Sequence, residues 1–150
     1  MLSDTQIILR LALTMVLSGL IGLERQMHRR FAGLRTHILV SLGSCLIMLT
    51  SLYVFDIYKN VASLDPARIA AGVITGIGFL GAGTIIRDRG GVKGLTTAAS
   101  LWVVAGIGLA VGCGFLNAAF ATTAFTLISL FFVRHWEEKI FAEGGDEKKG

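Results

Sequence analysis

Glu24 and Arg25 open a short basic stretch that runs through Arg29 and Arg30 to Arg35. An acid among bases is wasteful unless it orients one of them. The planar fork of Arg35 could hold Glu24 bidentately, a geometry lysine cannot reproduce. The expected pair is Glu24–Arg35, joining the ends of two adjacent helices. The stretch as a whole suits anionic lipid head groups or an acidic protein partner, and otherwise reads as a solvated connection. Asp65 and Arg68 stand three apart around Pro66. They could pair locally, cap a helix, or form a shallow cation site. One carboxylate is thin provision for Mg2+, so the cap is expected. Thr96, Thr97 and Ser100 could bond across helices or line a narrow polar path, and packing is the default. His28, His37 and His135 are too scattered for a metal set and read as interfacial. Cys45 and Cys113 lack CxxC spacing and read as small buried hydrophobes. No nucleophile, base and orienter fall together. Enzymatic chemistry, a cofactor and a metal centre are therefore not expected.

Gly76, Gly78 and Gly81 match GxGxxG. In a dinucleotide-binding unit these glycines turn a strand into a helix under a pyrophosphate, with an acid about 20 residues on. Here they lie in an apolar window with no such acid, so nucleotide binding is not expected. In a membrane the glycines mean close packing. Gly72, Gly76 and Gly83 share one helical face, while Gly78 and Gly81 point roughly opposite. Gly72 and Gly76 form a small-xxx-small pair. The expectation is a central helix touched from both sides; the alternative is local unwinding around a polar cavity.

The elements that must position these residues follow from composition. Of 150 residues, 53% are hydrophobic and 16% charged, and mean hydropathy is +0.70. A soluble domain of this size, about 25% charged, could not hide so much apolar surface. Disorder fails for the same reason. The formal charge is +4, but the basic residues do not gather on one face, so nucleic acid is not expected as a partner. Five windows are nearly free of charge: Gln6–Leu23, Ile38–Phe55, Ile69–Ile86, Leu95–Val111 and Phe115–Val133. Each is close to the ~20 residues that cross a bilayer as a helix. The last two joined would run about 58 Å, nearly twice the hydrocarbon core. A helical hairpin turning at Gly112 and Gly114 is the better parse. Thr96 or Thr97 could cap the fourth helix, and Asn117 or Gly114 could start the fifth.

The expected fold is thus all-α, a bundle of about five transmembrane helices. The first window does not read as a cleaved signal peptide, since Met1–Gln6 holds an acid and no base. Eleven basic residues fall on one side of this parse, and Arg10, Lys59 and Arg68 on the other. Basic residues stay in the cytoplasm, which places the N-terminus outside and the C-terminus inside. Arg10, near the outer end, is expected to snorkel. Tyr53 and Trp136 sit where aromatic belts form. Residues 1–134 read as the membrane domain, and 135–150 as a short cytoplasmic polar tail with a frayed helix end.

Several motifs occur in fixed order. They are Gly22-Leu-Glu-Arg25, Ala32-Gly-Leu-Arg-Thr-His37, Asp65-Pro-Ala-Arg68, Gly76-Ile-Gly-Phe-Leu-Gly-Ala-Gly83, Val92-Lys-Gly-Leu-Thr-Thr-Ala-Ala99 and Trp102. Together, over roughly residues 18–112, they resemble the MgtC/SapB family. The resemblance implies a multi-pass protein of the bacterial inner membrane, linked to growth in low magnesium, acid stress and survival inside host cells. It also implies partners among other inner-membrane proteins, the ATP synthase included, and admits a homo-oligomer. Glu24, Arg25, Arg35, Asp65, Arg68, Thr96 and Thr97 carry over as family-motif positions without assigned roles. Larger members have a cytoplasmic ACT-like domain after the membrane domain, and this chain reads as a short member without it. Two functions follow: a regulator docking on other membrane proteins, or a transporter or channel for Mg2+ or another small ion or solute. The first is expected, because no span holds a well-placed acid of the kind cation pathways use.

Overall fold

The computed structural model describes residues 2–143 apart from 62 and 90, with side chains as far as residue 132. Five helices form at the five apolar windows. They are α1 (Asp4–Met27), α2 (Leu34–Tyr58), α3 (Pro66–Gly83), α4 (Leu95–Cys113) and α5 (Leu116–Glu143). The first four are long and apolar enough to cross a membrane, and the apolar part of α5 is Leu116–Phe132. Helix α5 continues past Arg134 as one helix to Glu143. The expected tail beyond that point, and the side chains of Arg134, His135 and Trp136, lie outside the described residues.

Local chemistry sets the boundaries. Ser3 caps α1 in a reciprocal box with Gln6, satisfying two of the four free N–H groups of a helix start. Asp65 Oδ1 accepts from Ala67 N at 2.9 Å, so the expected cap before Pro66 is present. Gly114, at φ 89, closes α4, which is the expected turn of the helical hairpin. Helix α5 then starts at Leu116, ahead of Asn117. Thr96 and Thr97 do not cap α4: its N-cap is Gly94, at φ 90, with no side-chain hydrogen bond. Between α3 and α4 the chain adds a small antiparallel hairpin, β1 (Ile86–Asp88) with β2 (Gly91–Lys93). A Cβ on Gly94 would fall 1.9 Å from the Thr84 carbonyl. Only glycine, lacking that carbon and tolerating positive φ, fits here.

The core is built around α2 and α4, with α1, α3 and α5 packed about that pair. Its main cluster includes Leu17, Ile21, Cys45, Val104, Ile107 and Val111. The glycines that allow this closeness lie on α1 and α4. A Cβ on Gly108 would sit 2.3 Å from the Ser41 carbonyl, and one on Gly112 would sit 2.7 Å from Met48 Cβ. Gly108 and Gly112 are the small-xxx-small pair that packs.

The expectation of tight contacts along α3 is overturned. A Cβ on Gly72, Gly76, Gly78 or Gly83 would meet nothing within 4 Å, and one on Gly81 would make only ordinary contact with Ala98. Helix α3 is peripheral. It buries Ala70, Val73, Ile77 and Gly81 at helical spacing, because Val and Ile carry the apolar area that burial rewards. The other glycines lie off that stripe. The helix is continuous from Pro66 to Gly83, with no unwound segment.

Candidate functional site

The buried side chains Glu24, Arg25 and His37 gather at one end of the bundle, where α1 ends and α2 and α4 begin. Gly22 makes this possible, since a Cβ there would lie 2.8 Å from the Leu34 Cα and 2.9 Å from the His37 Cβ. The α2 start therefore rests directly on α1. Glu24 and Arg25, only 5% and 3% exposed, lie in the last turn of α1. Glu24 Oε2 is 3.1 Å from Arg25 Nε, and Glu24 Oε1 is 2.9 Å from His28 Nδ1. Buried charges are tolerated only when paired. His28 in turn meets the Phe131 ring edge-on, with centroids 6.4 Å apart, tying α1 to α5.

Arg35 is not the partner of Glu24. It lies exposed on the first turn of α2, and the Glu24 carboxylate meets Arg25 and His28 at the end of α1 instead. The physical reason is spacing. Positions 24 and 28 share a helical face one turn apart, so His28 reaches the carboxylate without crossing between helices.

His37 is wholly buried, not interfacial. Its Nδ1 lies 2.8 Å from the Gly33 carbonyl and its Nε2 lies 3.0 Å from Ser100 Oγ. The carbonyl can only accept, so Nδ1 carries the hydrogen. In the neutral ring Nε2 then accepts from the Ser100 hydroxyl. The hydroxyl has a single hydrogen, and the Thr97 carbonyl, 2.8 Å from the same oxygen, is the competing acceptor for it. This linkage joins α2 to α4 across the bundle. Thr97 is buried beside it, while Thr96 is exposed.

Asp65 and Arg68 stand at the opposite end, lining a shallow cavity of about 260 Å³. The Asp65 carboxylate is used as a cap, and no ion pair joins the two among the described residues. There too, Ser51 Oγ donates to the Pro66 carbonyl, tying α2 to the start of α3. Arg10 does more than snorkel: its guanidinium donates to the Gly112 carbonyl at 2.7 Å. This satisfies a free acceptor at the negative end of α4. Cys45 is buried as expected, but Cys113 is exposed at the α4 end. No group of three His, Cys, Asp or Glu side chains is placed to hold a metal among the described residues.

The signal for the buried linkage was periodicity. On α2, His37, Ser41, Ser44 and Ser51 recur at helical spacing and are all buried; Thr14, Ser18 and Arg25 do the same on α1, and Thr97 and Ser100 on α4. In hydrocarbon such a polar stripe faces neighbouring helices.

Comparison with known proteins bears on this arrangement. The model of the MgtC family matches residues 11–139. The chain is 46% identical over 127 residues to the Putative magnesium transporter YhiD of Escherichia coli (strain K12), covering 83% of this chain and 59% of that protein. It is 40% identical to Protein SapB of Bacillus subtilis (strain 168), covering 97% of this chain and 64% of that protein. It is 43% identical to Protein MgtC of Salmonella typhimurium (strain LT2), covering 89% and 54%. The chain thus spans less than two thirds of the length of these relatives. No solved structure matches it.

Proposed function

The chain belongs to the MgtC family, as a multi-pass protein of the bacterial inner membrane, and from that membership we propose that it is a regulator acting on other membrane proteins. Its setting is Mg2+ limitation, acid stress or intracellular survival. The magnesium link enters through the relative named a putative magnesium transporter. The observation that carries the regulatory reading is the closed interior. At Gly108 and Gly112 the α4 backbone lies against α2 so tightly that one added carbon would collide with it. The charged side chains inside the bundle, Glu24 and Arg25, neutralise each other at its end. They do not line a passage as ion-pathway carboxylates do.

A second reading, a conduit for Mg2+ or another small ion, draws on Ser41. Its buried hydroxyl has no hydrogen-bond partner among the described residues. Proteoliposomes holding only this protein and a Mg2+-sensitive dye separate the two. The expected result is Mg2+ entry equal to that of empty liposomes, together with capture of a membrane protein from native membranes by the tagged chain. Sustained Mg2+ entry in those liposomes overturns the regulatory reading.

A further inference from the structure

We propose that the cavity between the α1–α2 connection and the start of α4 binds the phosphate of an anionic phospholipid. The cavity, about 530 Å³, is lined by Arg29, Arg30, Lys93 and Thr97, with Phe31, Val92 and Leu95 at its wall. It lies at the end of the bundle where two connections meet, the natural level of lipid head groups. Three cations from two connections converge on it, and no acid is among its lining residues. Neither Arg29 nor Arg30 has an ion pair or a side-chain hydrogen bond among the described residues. Lys93 shares its ammonium with Asp88 at 2.9 Å, an exposed pair of the kind that costs little to give up.

The floor of the cavity is the N-terminus of α4. Its Gly94 cap offers no side chain, so the first N–H groups of a 19-residue helix lack the usual partner. Such N–H groups, with the positive end of the helix dipole, suit a phosphate oxygen. Thr97 is a second and independent sign. It is 3% exposed and lines the cavity, and its hydroxyl has no hydrogen-bond partner among the described residues. A hydroxyl that opens to the cavity with no protein partner is free to donate to a phosphate oxygen. The wall chooses between sources of phosphate. Phe31, Val92 and Leu95 are exposed apolar side chains beside three cations. That combination fits a phosphate attached to glycerol and acyl chains better than a free ion.

The test uses the full chain in neutral detergent, titrated with short-chain phosphatidylglycerol, with neutral diacylglycerol and with inorganic phosphate, and read by calorimetry. Phosphatidylglycerol should bind saturably, while the other two bind weakly at the same concentration. Equal binding of diacylglycerol would show an apolar groove and overturn the proposal. Binding of inorganic phosphate as tight as that of the lipid would overturn the lipid assignment. The variant Arg29→Gly with Arg30→Gln removes two cations and keeps the backbone relaxed at position 29. It should weaken phosphatidylglycerol about tenfold or more, as expected for lost charge-assisted hydrogen bonds. Thr97→Val should weaken it as well. Arg35→Gln, exposed at the same end of the bundle but not among the residues that line the cavity, should leave it unchanged. Equal losses in Arg35→Gln and the double variant would mean diffuse attraction and no site. If Thr97→Val does not fold, the arginine variants decide alone.

Discussion

Glu24 is the side chain whose loss the fold should feel most, because it is buried and shared by Arg25 and His28. Breaking a buried ion pair from one side costs about 3–5 kcal/mol. Glu24→Ala should therefore lower the thermal stability of the detergent-solubilised protein sharply. Arg35→Lys and Arg35→Ala should both melt close to wild type, since Arg35 is exposed and holds nothing buried. A large loss at Arg35 with none at Glu24 would reverse this assignment. Arg29 offers a test in the opposite direction. It sits at φ 52 after α1, with Arg30 N donating to the Arg25 carbonyl at 3.0 Å, the pattern of a helix end that favours glycine. Arginine there carries a left-handed penalty of roughly 1 kcal/mol. Arg29→Gly should raise the melting temperature, and a drop would show that the guanidinium stabilises the fold.

Among the elements, α4 and α3 are both rich in glycine and respond to substitution differently. Helix α4 lies between α2 and its other neighbours, and Gly108 meets the α2 backbone directly. Gly108→Ala must push the helices apart, and overpacking of this kind costs about 1–3 kcal/mol. Helix α3 leaves Gly72, Gly76, Gly78 and Gly83 with open space. Gly76→Ala and Gly78→Ala should therefore keep full thermal stability, with higher helix propensity in their favour. Equal destabilisation of Gly108→Ala and Gly76→Ala would mean that α3 packs tightly against something beyond this single chain. The turn between α3 and α4 depends on Gly94 in the same way, through its positive φ and the nearby Thr84 carbonyl.

For the molecule as a whole, the remaining question is which way it faces. From the eleven-to-three split of basic residues and the positive-inside rule, we propose that the α1–α2 and α3–α4 connections face the cytoplasm. Reporter fusions after Lys59 and after Glu143 should then report opposite compartments, periplasm for the first and cytoplasm for the second. Reports from the same compartment would mean that one of α3, α4 and α5 does not cross. The interior charge pair and the α4 N-terminus lie at the basic end, so orientation also decides which leaflet supplies the lipid.

Number, length and approximate ends of the helices were legible in the chain, because covering a hydrocarbon core requires long apolar runs and backbone hydrogen bonds must close within each segment. Caps written in one or two residues, as at Asp65-Pro66 and Gly114, were legible for the same local reason. Which residues meet was decided elsewhere. Glu24 with His28, His37 with Ser100, and Arg10 with the Gly112 carbonyl depend on which glycines let two backbones approach. Glycine density alone pointed to α3. Tertiary packing chose Gly22, Gly108 and Gly112, because those positions face the α2 backbone itself, at Leu34, Ser41 and Cys45. A helix shows its own faces in its periodicity, but which neighbour covers each face depends on the arrangement of the whole bundle.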